Sequence, residues 1–287
     1  MRMKRFAFLL LLIMGTCGLR AQSPDEGIPN SVNAATLVGA GRYNIMDTYL
    51  SPGSRVNYQG WALRVMDERM RFTRLADGHI SRQHILQIDF SSLLNPAGTL
   101  REYAGFIDYT LGYHYHFRPA PSLTLLAGGG LHALVGGIYN MQSSNNPGSA
   151  KADLDLRLSG LALYRFHIKR LPLLLRLQVQ VPFAGILFSP HYGQSYYEIF
   201  QLGNSSGVVK FASFHNKWAL QTFATIDIPL PRLTIRTGFA GSLYHLKVNG
   251  IESHLNSCYF MLGIVKEFIT VGGKRSRVGL NYRSAYE

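Results

Sequence analysis

Residues 153–169 read Asp-Leu-Asp-Leu-Arg-Leu-Ser-Gly-Leu-Ala-Leu-Tyr-Arg-Phe-His-Ile-Lys. Every even position from Leu154 to Ile168 is apolar or small, whereas the odd positions are mostly charged or polar. A β-strand directs alternate side chains to opposite faces, whereas a helix would mix the two sets. This segment is therefore predicted to be a long strand with one apolar face and one largely polar face.

The same alternation recurs along the chain and predicts ten strands. They cover residues 35–43, 58–72, 83–92, 102–117, 123–139, 153–169, 173–183, 218–228, 233–243 and 257–268. Several are longer than the roughly five or six residues usual in soluble sheets. The fold class is predicted to be all-β, a closed antiparallel transmembrane β-barrel, in which lipid covers the outward face and closure pairs every backbone group. Twelve strands are the alternative, with an extra hairpin of residues 196–202 and 208–214; residues 277–283 also alternate briefly.

The connections between the predicted strands alternate in length. Five lie on one side, at residues 44–57, 93–101, 140–150, 189–217 and 248–256. The other side has tight connections at residues 118–122, 169–172 and 230–232, and a medium one at 73–82. Outer-membrane barrels combine long outer loops with short periplasmic turns, so the pattern predicts which end faces outward.

The first residues have the features of a secretory signal peptide. Arg2, Lys4 and Arg5 precede an apolar run over residues 6–14, and small residues lead to Ala21. The run is too short to span a bilayer as a helix. We expect cleavage after Ala21, leaving residues 22–287 as the barrel; a lipoprotein modified at Cys17 is the alternative. The mature chain then keeps one cysteine, Cys258, predicted to be a small apolar residue that faces lipid.

Composition and charge restrict the environment and the partners. Apolar residues make up 47% of the chain and charged residues only 16%. Cleavage would remove four basic residues and leave 25 basic against 16 acidic ones. The partners expected for this basic surplus are outer-membrane lipids and lipopolysaccharide. We also expect the barrel-assembly machinery to act during insertion and the inserted protein to be a monomer. Nucleic acid is disfavoured because the basic residues are scattered.

Charged residues on the predicted inward faces bear on conduction. They are Arg64, Asp89, Asp108, Asp153, Asp155, Arg157, Arg165, Arg176, Asp227, Arg236 and Glu267. A barrel of about ten strands is too narrow for an open pore, which needs roughly sixteen. Buried charges need partners, so we expect a lumen filled by mutually neutralising groups, with a narrow selective channel as the alternative.

Several stretches resemble an uncharacterised family of Gram-negative outer-membrane β-barrel proteins. They are Asn-Ile-Met-Asp-Thr-Tyr-Leu-Ser-Pro at 44–52, Tyr-Asn-Met at 139–141 with Asn-Asn-Pro at 145–147, Tyr-Arg-Phe-His-Ile-Lys at 164–169, Phe-Ser-Pro-His-Tyr-Gly-Gln-Ser-Tyr-Tyr-Glu-Ile-Phe at 188–200 and Phe-His-Asn at 214–216. The resemblance spans nearly the whole mature chain. It implies the barrel fold and an outer-membrane location, and it implies no activity.

The longest outer loop contains residue types that hydrolases use. A hydrolase activates a Ser hydroxyl with a His that an Asp or Asn orients. The candidate residues, none with a diagnostic spacing, are His191, Ser195, Ser213, His215 and Asn216, with Asp47, Asn44 and Thr48 near the same rim. A lipid hydrolase (phospholipase or lipid A deacylase type) is therefore an alternative, with Ca²⁺ held by Asn and Asp as a variant of it. The favoured hypothesis is a non-catalytic structural or binding role at the cell surface.

Two other motifs have simpler explanations. His114 and His116 share a predicted inward face and could ligate a metal, but no third ligand is evident, so we expect them to make hydrogen bonds. Gly128, Gly129 and Gly130 lack the Lys and Ser/Thr of a phosphate loop, and we expect them to let strands curve or approach closely. No cofactor and no metal are predicted.

Overall fold

A computed structural model describes residues 31–142, 146–169, 171–230, 233–271, 274–277 and 284–286. The predicted signal peptide, residues 1–21, lies outside the described residues. Ten strands form the wall of a closed antiparallel barrel. They are β1 (Val32–Asp47), β2 (Tyr58–Phe72), β3 (Ile80–Leu94), β4 (Arg101–Ala120), β5 (Leu123–Asn140), β6 (Gly148–Ile168), β7 (Leu171–Phe188), β9 (Lys217–Pro229), β10 (Thr234–Val248) and β11 (Ile251–Val271).

Closure results from pairing of the first and last wall strands. β1 is antiparallel to β11 along its whole length, from Val32 opposite Phe268 to Asp47 opposite Ser253. The next strand pairs with the other edge of β1, from Ile45 opposite Tyr58 to Asn33 opposite Met70. Neither β1 nor β11 is therefore a free edge, which satisfies the requirement that hydrocarbon imposes on backbone groups.

The outward face carries a continuous apolar band. Val38, Val65, Ile88, Ile107 and Val135 are register partners on β1 to β5. Their side chains are 47–59% exposed. Exposed aliphatic side chains in one row around a barrel are typical of a lipid-facing surface. Cys258 is exposed on the same outward side, as predicted. Among the described residues, no helix has the length and apolarity needed to cross a bilayer.

Three smaller elements complete the described structure. A 3-10 helix (Leu75–Gly78) lies in the β2–β3 connection, and helix α1 (Tyr196–Phe200) lies in the loop after β7. The short strand β8 (Val209–Ser213) pairs with the outer half of β7, and β9 pairs with its inner half. Strand β12 (Lys274–Arg277) pairs with the end of β11. We call the end with the connections 48–57 and 189–216 the outer end, and the opposite end the inner end.

The prediction of ten wall strands is confirmed, and the alternative twelve-stranded barrel is wrong. Residues 208–214 do contain a strand, but residues 196–200 are helical, so the extra hairpin is absent. Ser195 and Glu198 form a capping box that favours this helix. Of the short alternating tail, only Arg277 lies in a described strand, and residues 278–283 lie outside the described residues.

The structure also corrects the length of the connection predicted at residues 248–256. There β10 and β11 continue to a two-residue turn, Asn249-Gly250, with φ values of 54° and 78°. Both residues have positive φ, and Asn-Gly is the sequence that such hairpin turns favour. The predicted long loop is therefore a tight outer hairpin.

The glycines at 128–130 serve close strand approach, as predicted. A Cβ atom at Gly128 would lie 1.9 Å from the carbonyl oxygen of Tyr113, and one at Gly130 would lie 2.0 Å from that of Leu111. A side chain at either position would force β4 and β5 apart.

We predict that Ile107→Lys lowers the free energy of unfolding by about 2–4 kcal/mol, the cost of a cation at the bilayer midplane. The matched control is Ala97→Lys, which places the same charge in the exposed β3–β4 connection and should change stability by less than about 0.5 kcal/mol. Guanidinium titration of the chain folded into phosphatidylcholine vesicles measures both. Equal effects of the two substitutions would contradict a lipid-facing row.

Candidate functional site

The inner half of the lumen is organised around Glu68. Its Oε1 accepts a hydrogen bond from Arg176 Nη2 at 2.5 Å, and its Oε2 accepts one from Arg236 Nη1 at 2.7 Å. Arg236 also makes a two-pronged pair with Asp227, at 2.6 and 2.7 Å. Gln83 donates a further hydrogen bond to Glu68. These five side chains come from five strands and carry two negative and two positive charges, so the Glu68 cluster is neutral and ties opposite walls together.

A described segment after the last wall strand closes the inner end of the lumen. Tyr286 donates a hydrogen bond from its hydroxyl to Glu68 Oε1 at 3.1 Å, and its carbonyl accepts one from Arg165 Nη2 at 2.5 Å. Its ring lies 5.2 Å from the guanidinium of Arg236. Ser284 donates to Glu267 at 2.5 Å. Residues 284–286 are buried and so fill the lumen below the Glu68 cluster.

A second charged cluster, centred on His132, lies nearer the outer end. His132 Nε2 is 2.9 Å from Asp108 Oδ1, and its Nδ1 is 3.2 Å from Asp155 Oδ2. Arg157 donates from Nε to Asp155 Oδ1 at 2.9 Å. Lys217 lies with its Nζ 2.8 Å from Asp155 and 3.0 Å from Asp153. The His132 cluster therefore supplies each carboxylate with a basic neighbour.

The donor atoms of this cluster also allow a test of metal binding. His132, Asp153 and Asp155 present ligand atoms within 4.8 Å of one another. Lys217, however, already places its ammonium group between the two carboxylates. The charge that a divalent ion would supply is thus provided by the chain itself, and these residues fit an ion-pair cluster better than a metal site.

The histidine pair singled out in the sequence lies deeper in the lumen. His114 Nε2 lies 2.8 Å from Ser159 Oγ, and His116 Nε2 lies 2.8 Å from Ser81 Oγ. The two imidazoles hydrogen-bond to serines on different strands, β6 and β3. This geometry matches the expected hydrogen bonding.

At the outer rim, Asp47 anchors the loops. Its Oδ2 accepts a hydrogen bond from Ser149 Oγ at 2.7 Å and forms an ion pair with Lys151 Nζ at 2.8 Å. Its Oδ1 accepts the backbone N–H of Tyr49 at 2.9 Å, and the Tyr49 hydroxyl donates to the carbonyl of Gln194 at 2.9 Å. Asp47 thus connects β1, β6 and both long loops.

The long loop after β7 covers the barrel mouth through α1. Ser195 caps the helix: its Oγ accepts the Glu198 N–H at 3.2 Å, and Glu198 accepts the Ser195 N–H at 2.7 Å. The Tyr196 hydroxyl accepts the Ala150 N–H at 2.6 Å, and its ring packs edge-on against Tyr49 at 5.6 Å. Burial raises the pKa of both the Tyr49 and Tyr196 hydroxyls, so both stay protonated. We call residues 48–57 and 189–208 the outer cap.

The remaining candidate residues have separate partners. His191 Nε2 lies 3.2 Å from the carbonyl oxygen of Ser206, and the His215 ring stacks on Phe211 at 6.3 Å. Asn216 accepts the Ser213 N–H at 3.0 Å and donates to the Phe211 carbonyl at 2.9 Å, which closes the turn between β8 and β9. Among the described residues, no hydrogen bond joins any two side chains of His191, Ser195, His215, Asn216 and Asp47.

Sequence reasoning identified many of the inward charges but missed Glu68, Lys151 and Lys217, which are buried in the lumen. It also did not identify His132 or the segment 284–286 as parts of the lumen. His132 lies among five glycines in residues 123–139, and that composition obscured the alternation. The segment 284–286 has no strand pattern. Glu267 and Arg165, two inward charges near the inner end, were the available signals of a partner there.

Solved structures similar to this one are outer-membrane barrels. The chain aligns with the outer membrane protease OmpT from Escherichia coli at 10% identity and a TM-score of 0.47, covering 88% of this chain and 100% of that one. The transport unit of the autotransporter AIDA-I from Escherichia coli aligns at 8% identity and a TM-score of 0.41, covering 88% of this chain and 95% of that one. An outer membrane channel from Pseudomonas putida F1 aligns at 8% identity and a TM-score of 0.33, covering 86% of this chain and 100% of that one. No curated protein matches the chain.

The closed wall and its lipid-facing band make the protein a β-barrel of the Gram-negative outer membrane, with lipid around it. A family model described as "Protein of unknown function (DUF3316)" matches residues 6–275. The match covers almost the whole sequence and agrees with the resemblance noted above. The chain belongs to this family.

Proposed function

We propose that the protein has a non-catalytic role at the cell surface, in which a sealed barrel holds the outer cap as a structural or binding platform. The observation that carries the proposal is the pairing of the lumen charges with one another. The Glu68 cluster, the His132 cluster and the Asp47 contacts lie at successive levels of the lumen. A lumen crossed by such bridges is a scaffold, since transport would require them to break together.

The exposed surface of the outer cap supports a binding role. Tyr197, Phe200 and Leu202 are 59–64% exposed on and after α1. Glu198 and Ser195 fix this helix, and Tyr196 fixes it to the rim. Clustered exposed apolar side chains on a rigid support are typical of interaction surfaces.

The hydrolase hypothesis has less support from the geometry. Catalysis needs an imidazole beside a hydroxyl. Ser195 Oγ is engaged with Glu198, and His191 faces a backbone carbonyl. The proposal therefore assigns Ser195, His191 and Asn216 to the folding of the outer cap and of the β8–β9 turn.

The expected partners and processing belong to the same proposal. The proposed mature chain, residues 22–287, keeps a basic surplus that favours contact with anionic lipopolysaccharide. We also propose cleavage of residues 1–21, insertion by the barrel-assembly machinery and a monomeric final state.

We predict that Glu68→Gln lowers the free energy of unfolding by about 3–5 kcal/mol, because two buried guanidinium groups lose their shared anion. The control is Glu252→Gln, which removes a carboxylate paired with Arg55, a side chain that is 69% exposed. That change should cost less than about 1 kcal/mol. Guanidinium unfolding in lipid vesicles measures both, and a neutral effect of Glu68→Gln would refute the bridging role of the Glu68 cluster.

We predict no stable conductance steps when the purified protein is inserted into planar bilayers. The reason is that the charged clusters and residues 284–286 occupy the lumen. Flotation of the same protein with lipid vesicles controls for insertion. A reproducible ohmic conductance of the wild-type chain would contradict the sealed barrel and favour the narrow channel.

We predict no hydrolysis of phospholipid or lipid A by the wild-type protein, with or without Ca²⁺, and the same background for His191→Ala and His215→Ala. Release of fatty acid from vesicles that contain both lipids measures this. Release by the wild type that His191→Ala or His215→Ala abolishes would establish the hydrolase and overturn the non-catalytic proposal.

A further inference from the structure

Four basic residues form a block on the outward face near the inner end of the barrel. Arg69 and Arg71 lie on β2, and Arg82 and His84 lie on β3. Arg71 is the direct register partner of Arg82, and Arg69 is that of His84. The residues between them on each strand, Met70 and Gln83, are buried toward the lumen, so the block faces away from it. Like charges directly opposite on adjacent strands are destabilising unless something neutralises them.

The neighbouring side chains do not neutralise the charges of Arg71 and Arg82. Asp67 is the nearby carboxylate, and it is engaged by Arg69 Nε at 3.0 Å and by Thr36 Oγ1 at 3.0 Å. Arg82 Nε is shielded from solvent and has no hydrogen-bond partner among the described residues. Within the part of the chain that the structure describes, neither Arg71 nor Arg82 forms an ion pair.

The position of the block relative to the lipid-facing row indicates what could neutralise it. Arg71 is six residues from Val65, about 20 Å along a strand and about 15 Å along the membrane normal at the usual tilt. The row that contains Val65 and Ile107 is taken as the middle of the apolar band, which is roughly 25 Å high in an outer-membrane barrel. The distance from this row to Arg71 therefore exceeds half of the height of the band. The two guanidinium groups therefore lie at the level of lipid headgroups, on the side of the short turns.

We propose that Arg71 and Arg82 bind the phosphate of an anionic phospholipid headgroup in the inner leaflet. Guanidinium groups bind phosphate oxygens in pairs of parallel hydrogen bonds, and one phosphate between two arginines removes their mutual repulsion. Tyr113, the register partner of Arg82 on β4, is 39% exposed and borders the same site. The site is distinct from the outer cap and independent of the role proposed for it.

The test uses the purified full chain in dodecyl maltoside, a detergent without phosphate, titrated with phosphatidylglycerol and followed by native mass spectrometry. Arg71→Gln should weaken binding about fivefold, and Arg71→Gln with Arg82→Gln about 25-fold, since each basic residue near a lipid headgroup contributes roughly that factor. The control Arg42→Gln removes an equal charge from the outward face of β1 near the outer end and should leave the affinity unchanged.

A second readout separates binding from a structural role. In detergent alone the double variant should melt at the same temperature as the wild type or higher, because the repulsive pair is gone. Added phosphatidylglycerol should raise the melting temperature of the wild type more than that of the variant. A double variant that is destabilised without lipid would overturn the proposal.

Two further titrations define the ligand. Phosphatidylcholine, which has a phosphate but no net charge, should bind more weakly than phosphatidylglycerol, and equal binding would refute the requirement for an anionic headgroup. Inorganic phosphate should give little stabilisation at the same concentration. Stabilisation by inorganic phosphate equal to that by phosphatidylglycerol would show a free-anion site and refute the lipid assignment.

Discussion

The pairing of β1 with β11 is the interaction on which the rest of the structure depends. Hydrocarbon offers no hydrogen bonds to unpaired N–H and C=O groups, so a sheet can span a membrane only when it has no edge. All of β1, from Val32 to Asp47, meets β11 in continuous antiparallel register. Once the cylinder is closed, alternate side chains have only two possible environments, the lipid or the lumen.

Closure with ten strands has a direct consequence for the interior. The cylinder is too narrow for an open aqueous pore, and its inward faces carry many charged side chains. Such charges are stable there only in neutral groups with good hydrogen-bond geometry. In the Glu68 cluster two arginines balance Glu68 and Asp227. In the His132 cluster the carboxylates of Asp108, Asp153 and Asp155 lie beside His132, Lys217 and Arg157. The same contacts that neutralise the charges also cross-link the wall, and the contacts of Asp47 and Tyr196 hold the outer cap on the rim.

Much of this architecture could be predicted because successive side chains of a strand point alternately to the lipid and to the lumen, so that the polarity of the sequence alternates with a period of two. Leu154 and Asp155 are adjacent in sequence, yet one faces lipid and the other the His132 cluster, as their chemistry indicates. Which inward charges meet could not be predicted in this way. Glu68 and Arg176 are 108 residues apart, and their contact depends on the tilt of the strands and on closure.

The candidate residues of the outer loop show a different limit. Ser195, His191 and Asn216 suggested chemistry because hydrolases use these residue types. The same groups also cap helices and close turns, and this is how Ser195 and Asn216 are used here. Composition alone does not separate the two uses, whereas the partner of each polar atom does. The Asn249-Gly250 turn, by contrast, had a clear local signal in its two residue types.

Amide hydrogen exchange of the protein in lipid bilayers tests closure most directly. Alternate N–H groups of β1 point to β2 and to β11, so closure predicts that consecutive amides of β1 exchange equally slowly, at rates like those of the interior strands β4 and β5. In an open sheet every second amide of β1 would lack an acceptor. A pattern of alternating fast and slow exchange along β1, matched by one along β11, would contradict the account.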